Sequence, residues 1–556
     1  MSLTPAVSAA TEGQDDDWRM RMARQNRKKR RTAIGLSLVL AAGCIVVQTL
    51  HAATPQQPPV EGKRLELSLD DCIVKTLRNN LGLAAEKLTP RLMDAAVTLA
   101  GEKFYPTLTF SYNDQDTKSV SYSGLDALDV VSSSQKDNTT QFTQNLPTGG
   151  YLTASLYNYW TKTNRSFQTI NPRLGSTLRF NFSQPLLKDF GFKTSRREII
   201  VAQYGREASE ENFNKLLEDT IYSVESAYWN LVYSIENIQV RRQALKLAQE
   251  LLEKNKAEIE AGTLPPIELL TAEAEVSLRQ AEIIEAEALV RNNEELVKTV
   301  INLAAETEDA KNIRIVPTDT PTAEKKEVDF DQALETALLN RPDLAAMRVD
   351  FKNRQFTMSY AKNQLLPDVR LQLSYWSPGV SGTKLLYQDN NVLSGIIVGT
   401  IPGSRSNALK DAFNFSYKNS ALGITVSLPV SNIVSRAYYT QARIGLEQAK
   451  LRIKNQEQQL MLELGNAVRA VETNYQRSQA YRTARELAQK KLEAELEKFK
   501  VGMSTNYLVL QYQRDLANAQ TLEIKALIDY KVSLANLDKV MGVGRERQNV
   551  KVIVDD

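Results

Sequence analysis

Two periodicities alternate along this chain. Leu108, Phe110 and Tyr112 are interleaved with Thr107, Thr109 and Ser111, the single alternation of a strand with one apolar and one polar face. The same pattern returns at Leu178, Phe180 and Phe182, at Val369, Leu371, Leu373 and Tyr375, and at Leu422, Ile424, Val426 and Leu428. A further hairpin is predicted from Gln141–Leu146 and Tyr151–Trp160, joined by the turn residues Pro147, Thr148, Gly149 and Gly150. It adds two strands to the first half, and no equally clear copy lies between Trp376 and Lys418, where Gly, Ser and Asn dominate.

Elsewhere the period is helical. From Arg197 to Ala261 and from Arg436 to Val501 there is no proline and almost no glycine, and ~65 residues make a rod of about 100 Å. In the first rod Ile221, Val224, Tyr228, Leu231, Ile235 and Ile238 recur at steps of three and four, a coiled-coil seam whose register Arg242 and Leu245 continue. Gly262-Thr263-Leu264-Pro265-Pro266 breaks this rod, and Gly502-Met503-Ser504-Thr505 breaks the second. Return helices follow at about 267–303 and 507–541. Shorter helices precede the strands: one from Leu69, capped by Ser68, one from Leu81 to Phe104 with Pro90 inside it, and a copy of the latter from Leu344 to Gln364. Each half therefore predicts one long helix with two shorter ones stacked end to end along it.

The halves are alike. Leu69 to Tyr112, shifted by 261 positions, lands on Phe330 to Leu373, so that Asn79 meets Asn340, Leu83-Ala84-Ala85 meets Leu344-Ala345-Ala346, and Pro106 meets Pro367. A period of about half the chain is a duplicated domain rather than a solenoid. The organisation expected is a signal peptide with a basic n-region over 1–53 and a leader over 54–67. A first repeat then covers 68–316, with strands in about 107–184 and a helical hairpin in about 197–303. A linker at 317–328 leads to a second repeat over 329–556, with strands in about 368–428 and a hairpin in about 436–541. The linker and the tail after Asn549 are expected to form a belt where the stacked helices meet, with Lys325 and Lys326 on a solvated face.

Composition narrows the chemistry. The 556 residues are 42% hydrophobic and 24% charged, with a net charge of +3, so neither wholesale disorder nor a basic nucleic-acid surface is indicated. Arg24 to Arg31 is densely basic, and the apolar run Thr32–Val47 is short for a membrane span but suits a secretory signal cleaved just after Ala52 or Ala53. A rival reading is that Leu40-Ala41-Ala42-Gly43-Cys44 is a lipoprotein box with a lipid on Cys44, although the apolar Ile45-Val46-Val47 is unlike a polar tether. Ordinary cleavage, the default, removes the only histidine, His51, and Cys44 with the signal. A mature chain with Cys72 as its lone thiol holds no His-based triad, no Cys/His zinc site and no intrachain disulfide. No catalytic, cofactor or metal residues are assigned, and no phosphate-binding loop is present.

A duplicated order of short helix, helix, strands, very long helix, glycine tip and return helix, behind a signal peptide, resembles the TolC-like outer-membrane efflux proteins. The residues carrying the resemblance are Leu69–Asn80 with Phe104-Tyr105-Pro106-Thr107-Leu108, their copies Phe330–Pro342 and Leu365-Leu366-Pro367-Asp368-Val369, the strand exit Ser183-Gln184-Pro185-Leu186, and the tips at Gly262 and Gly502. It implies an α+β membrane protein in which three copies close one transmembrane β-barrel, continuous with a long periplasmic α-helical barrel of twelve helices. A protomer with four or six strands has open edges, which lipid forbids, so other chains must close it.

The resemblance also implies partners: a periplasmic adaptor docking on Gly262, Thr263, Leu264, Pro265, Pro266, Gly502, Met503, Ser504 and Thr505, an inner-membrane pump supplying energy, and outer-membrane lipid. Glu258 and Lys498 stand at the tips where relatives often carry Arg. The gate at the periplasmic end falls on Tyr507, Leu508, Gln511 and Asp515, as a closing ring or as plain helix packing. The function expected is a passive exit duct for small toxic compounds. The alternatives are the exit duct of a polypeptide secretion system and a non-conducting coiled-coil envelope protein. An enzyme is not expected.

Overall fold

The computed structural model describes residues 64–550 apart from positions 123, 125–128, 263 and 308. The basic leader, the apolar run, Cys44 and His51 lie outside the described residues.

The chain enters through strand β1 (Arg64–Leu67), which pairs in parallel with β6 (Arg314–Pro317), Leu65 opposite Ile315. The last four residues of the expected 54–67 leader thus form a strand. Helix α1 (Leu69–Asn79) starts at a complete capping box, in which the Asp71 N–H donates to Ser68 Oγ at 3.1 Å and the Ser68 N–H donates to Asp71 Oδ2 at 3.1 Å. Helix α2 (Leu81–Ala100) runs through Pro90 and ends four residues short of the expected Phe104, because a single 3-10 turn at Glu102–Phe104 closes it before Pro106.

Four strands follow: β2 (Thr107–Val120), β3 (Val130–Asn145), β4 (Tyr151–Thr163) and β5 (Ile170–Pro185). Then come the rod α3 (Arg197–Glu260) and its return helix α4 (Ile267–Val300). After β6, helices α5 (Phe330–Asn340) and α6 (Pro342–Asn363) lead into β7 (Asp368–Tyr387). The short β8 (Ile397–Ile401), helix α7 (Arg405–Phe413) and β9 (Asn419–Ser427) precede the second rod α8 (Ile433–Lys500) and its return helix α9 (Asn506–Met541). The region from Trp376 to Lys418, which shows no clear copy of the first half's extra hairpin, carries the second part of β7, β8 and α7.

All long strands lie in one antiparallel sheet in the order β2-β3-β4-β5-β7-β9, with β8 on the far end of β7. The helices form a single layer. Next to the sheet their order is α2-α3-α6-α8; further along it is α4-α3-α9-α8. The rods α3 and α8 therefore run the full length, while α2 with α4, and α6 with α9, each make one composite line beside them.

The main core lies where these lines change helices. Leu67, Cys72, Tyr228, Leu231, Val297, Ile301, Ile315 and Ile528 come together from β1, α1, α3, α4, β6 and α9. A second core joins α5, α6, α8 and α9 through Ala337, Leu344, Leu460, Leu464, Tyr530 and Leu537. Within α3 the seam follows Ile221, Val224, Tyr228, Leu231 and Ile238 and then shifts to Ala244, Ala248, Leu251 and Asn255. Arg242, expected to stay in register, is exposed and pairs with Glu287 at 3.3 Å. The shift occurs as the neighbour of α3 changes from the β1/β6 core to α9, so a different helical face must be apolar.

Candidate functional site

The sheet has two chemically distinct faces, fixed by register. One row across it reads Leu108, Phe142, Ala154, Phe180, Tyr375, and the adjacent row reads Leu152, Phe182, Leu373, Leu422. Because side chains alternate, these share a face, and at its open edges Leu108 is 73% and Leu422 71% exposed. The opposite face carries Thr153, Asn181 and Ser374, linked by Asn181 Nδ2 donating to Thr153 Oγ1 at 3.1 Å and Ser374 Oγ donating to Asn181 Oδ1 at 2.8 Å. Arg179 lies over the Trp376 ring on the same face, at 4.9 Å. The arrangement is a wall with one apolar and one polar side.

At the far end of the helices the two rods turn. Gly262 and Gly502 have φ of +77° and +78°, the left-handed geometry that ends each rod without steric cost only for glycine. In the first turn the Glu268 N–H donates to the Pro265 carbonyl at 3.1 Å. Pro265 and Pro266 are exposed and Leu264 is partly buried; Thr263 lies outside the described residues. In the second, Met503 is 77% exposed, Ser504 Oγ donates to Glu495 Oε1 at 2.6 Å, and Thr505 caps α9 through the Leu508 N–H. The turns are held together by Lys254 of α3 over the Phe499 ring of α8 at 4.1 Å, and by Leu251, Val509 and Leu510.

On α9 the residues Asn506, Val509, Leu510, Gln513 and Ala517 are buried. At 100° per residue, Leu508, Gln511 and Asp515 fall on the opposite side, with Tyr507 between. Asp515 and Tyr507 are exposed; Leu508 and Gln511 are partly buried. The structure thus brings three of the four residues onto one free face.

Sequence reasoning missed two groups of interactions. A charge network joins three helices beside this face: Arg279 of α4 pairs with Glu275 at 2.7 Å and Glu282 at 3.0 Å, Arg241 of α3 pairs with Glu282 at 3.0 Å, and Arg514 of α9 approaches Glu275 at 3.7 Å. Its sequence signal is the spacing of Arg279, four after Glu275 and three before Glu282. The linker is pinned by two tyrosines: Tyr228 of α3 at Asp319, and Tyr530 of α9, whose hydroxyl donates to the Glu324 carbonyl at 2.5 Å. Lys326, expected on a solvated face, is instead partly buried 3.7 Å from Asp538, and burial lowers its pKa.

The segment after α9 fastens onto α3. Arg545 donates through Nε to Glu218 Oε1 at 3.0 Å, and Gln548 Nε2 donates to Glu225 Oε1 at 2.7 Å. Burial pushes the Glu225 carboxyl up to about 7. Among the described residues no group of three or more His, Cys, Asp or Glu side chains is placed to hold a metal ion, and no helix is long and apolar enough to cross a membrane.

A two-faced antiparallel sheet running into a layer of very long helices, with both layers open at their edges, defines an extended mixed α/β fold of the outer-membrane-factor type. The family model for the outer membrane efflux protein matches residues 175–303 and 333–543, and the chain belongs to that family. The outer membrane efflux protein BepC of Brucella suis biovar 1 is 22% identical over 484 residues, 86% of each chain. The alkaline protease secretion protein AprF of Pseudomonas aeruginosa is 20% identical over 368 residues, 65% of this chain and 69% of that one. The solved structure of the outer-membrane channel OprN superposes with a TM-score of 0.61 at 16% identity, covering 85% of this chain and 89% of that one.

Proposed function

We propose that the protein is the outer-membrane exit duct of a tripartite export system, a passive channel carrying small toxic compounds from a periplasmic adaptor and inner-membrane pump to the exterior. The observation that carries this reading is the sheet: an apolar band across one face, centred on Leu108, Phe142, Ala154, Phe180, Leu152, Phe182, Leu373 and Leu422, polar side chains on the other, and unpaired backbone at β2 and β9. Lipid accepts apolar side chains but no unpaired backbone, so a sheet of this kind is stable there only as part of a closed barrel.

Closure falls to further copies of the same chain. The helical layer repeats the need, since α2 and α4 expose Leu88, Leu92, Leu99 and Leu278 along one edge and α8 exposes Leu451, Leu462 and Leu487 along the other. Three copies, as the family resemblance implies, place four helices each in a periplasmic tunnel of twelve. In this reading the halves are tandem repeats with the boundaries 68–316 and 329–556. The tips at Gly262–Pro266 and Gly502–Thr505 receive the adaptor, and Leu508, Gln511 and Asp515 face the tunnel as its gate, flanked by Tyr507.

A second cargo is favoured by one observation, the match to a protein named for protease secretion. A duct serving a polypeptide exporter uses the same wall, so the partner pump decides between the two. The test is single-channel conductance of the purified protein in a planar bilayer alongside its mass in mild detergent. A conducting trimer is expected; a monomer, or a trimer that never conducts even when Leu508 and Asp515 are substituted, sinks the duct in favour of a structural envelope protein.

A further inference from the structure

Four strands of the sheet run directly into helices: β2 follows α2, β5 leads to α3, β7 follows α6 and β9 leads to α8. Their lateral order in the sheet matches the order of those helices in the layer below. The hairpin β3–β4 has no helix of its own. It is inserted between β2 and β5, and fully paired with both, from Thr107 opposite Thr143 to Val120 opposite Val130 on one side and from Tyr151 opposite Ser183 to Thr161 opposite Arg173 on the other.

The base of the hairpin is fastened on both flanks. Gln144 Nε2 donates to the Phe104 carbonyl and Asn145 Nδ2 to the Lys103 carbonyl, each at 2.7 Å. On the other flank the Gly191 N–H donates to the Thr148 carbonyl at 3.0 Å, and Gln184 Nε2 donates to the same oxygen at 3.1 Å. Gly149 has φ +96° and lies so close to the Asp189 carbonyl that a Cβ there would sit 2.3 Å from it. The hairpin also continues both faces of the sheet in a band near its base, with Phe142, Leu152, Ala154 and Leu156 on the apolar side and Thr153 and Ser155 on the polar side; farther out the first side turns polar at Asn138, Asn158 and Ser176.

We infer that the hairpin is a permanent part of the membrane wall, so that each protomer supplies six strands and three copies close an eighteen-stranded barrel. This rests on the duct reading for its trimer and its membrane, and it fixes what that reading leaves open. The closing seam is β2 of one copy against β9 of the next. Strand directions alternate across the whole sheet, β2 leaving the helical end and β9 returning to it, so this seam is antiparallel like every other pair. Beyond the end of β9, β8 occupies the same edge of β7 and extends the strip offered to the neighbouring β2.

The dimensions agree. Six strands about 4.8 Å apart and tilted by about 40° span roughly 38 Å of wall, and four helices packed about 9.5 Å apart span roughly the same. Four strands at that tilt span only about 25 Å and would need a taper between tunnel and barrel. An eighteen-stranded wall is about 35 Å across between backbones, wide enough for an aqueous lumen, which leaves the restriction to the helical end.

The test uses full-length protein in its native membrane, where buried Cys72 stays silent. Thr109→Cys is combined in turn with Ala421→Cys, Gly423→Cys and Thr425→Cys, all on the polar face, and oxidised mildly. One combination is expected to give covalent dimers and trimers, at least about tenfold above any single variant for a backbone-paired seam. Separately, Ser155→Cys is expected to react with a charged thiosulfonate and lose conductance, while Leu156→Cys resists that reagent. Equal labelling of the two, or no cross-link in a trimer that still conducts, overturns the six-strand wall and leaves the duct standing. Cross-linked trimers that never conduct support the wall and overturn the duct.

Discussion

Tyr228, in the middle of the first long helix, donates its hydroxyl hydrogen to Asp319 Oδ2 at 2.7 Å, and the Asp319 N–H donates back to that hydroxyl oxygen at 3.2 Å. The same carboxylate oxygen accepts the Leu69 N–H at 2.8 Å. One buried ring therefore ties the connection between the two halves to the start of α1. Tyr228→Phe keeps the ring and strands these partners, and we expect a loss of about 1–3 kcal/mol in stability. Thermal unfolding in detergent, with limited proteolysis within 318–327, checks it; unchanged stability and unchanged cleavage would falsify this role.

Glu225 carries a pH dependence. Its carboxyl ordinarily titrates near 4.5 and is pushed up to about 7 by burial, partly opposed by the hydrogen bond from Gln548. Between those values the folded protein retains a proton that the unfolded chain has released, so this group's contribution to stability falls as pH rises through the window. Glu225→Gln keeps an oxygen for Gln548 and cannot ionise. It is expected to raise stability at pH 8 by on the order of 1–2 kcal/mol and to change little at pH 4. Melting curves at the two pH values decide, and equal shifts at both count against the mechanism.

Cys72, on the inner face of α1, is fully buried, and burial pushes its thiol up to about 12. The thiolate is the reacting species, so maleimide at pH 7.5 is expected to leave Cys72 unmodified in the native protein and to label it in denaturant. Mass spectrometry before and after unfolding reads the result; rapid native labelling would place this thiol outside the core.

The tips and the free face of α9 separate two proposed roles. Met503→Asp adds a charge to an exposed apolar side chain and is expected to abolish co-purification with the adaptor while trimer assembly persists. A disassembled trimer would instead assign Met503 to folding.

Gln511→Ala and Asp515→Ala change side chains that point away from the buried face of α9. Single-channel conductance is expected to rise about twofold or more if they narrow the passage. No change in either variant removes this face from the gate.

Local rules made much of the framework legible. The alternation at Leu108, Phe110 and Tyr112 marks a strand because a pleated backbone sends successive side chains to opposite faces, and Ser68 with Asp71 marks a helix start because the two satisfy each other's backbone donors. The proline-free runs gave two rods, and Gly262 and Gly502 ended them. These signals are carried within a few residues, so the sequence alone determined them. The family, too, was readable in the order of the elements.

What depended on distant neighbours was not readable. Arg242 fits the seam by spacing, yet it lies outside because α3 changes partners below Ile238. Lys326 reads as a solvated charge, and folding brings Asp538 to it across more than two hundred positions. The sheet order, which seats a hairpin without helices between β2 and β5, follows from long-range backbone pairing that no local pattern encodes. Sequence determined which segments are helix, strand and turn, because propensity, capping and periodicity act locally. Tertiary structure alone decided which faces are covered, which charges are buried and which edges stay open, because each is set by what packs against a segment from elsewhere in the chain.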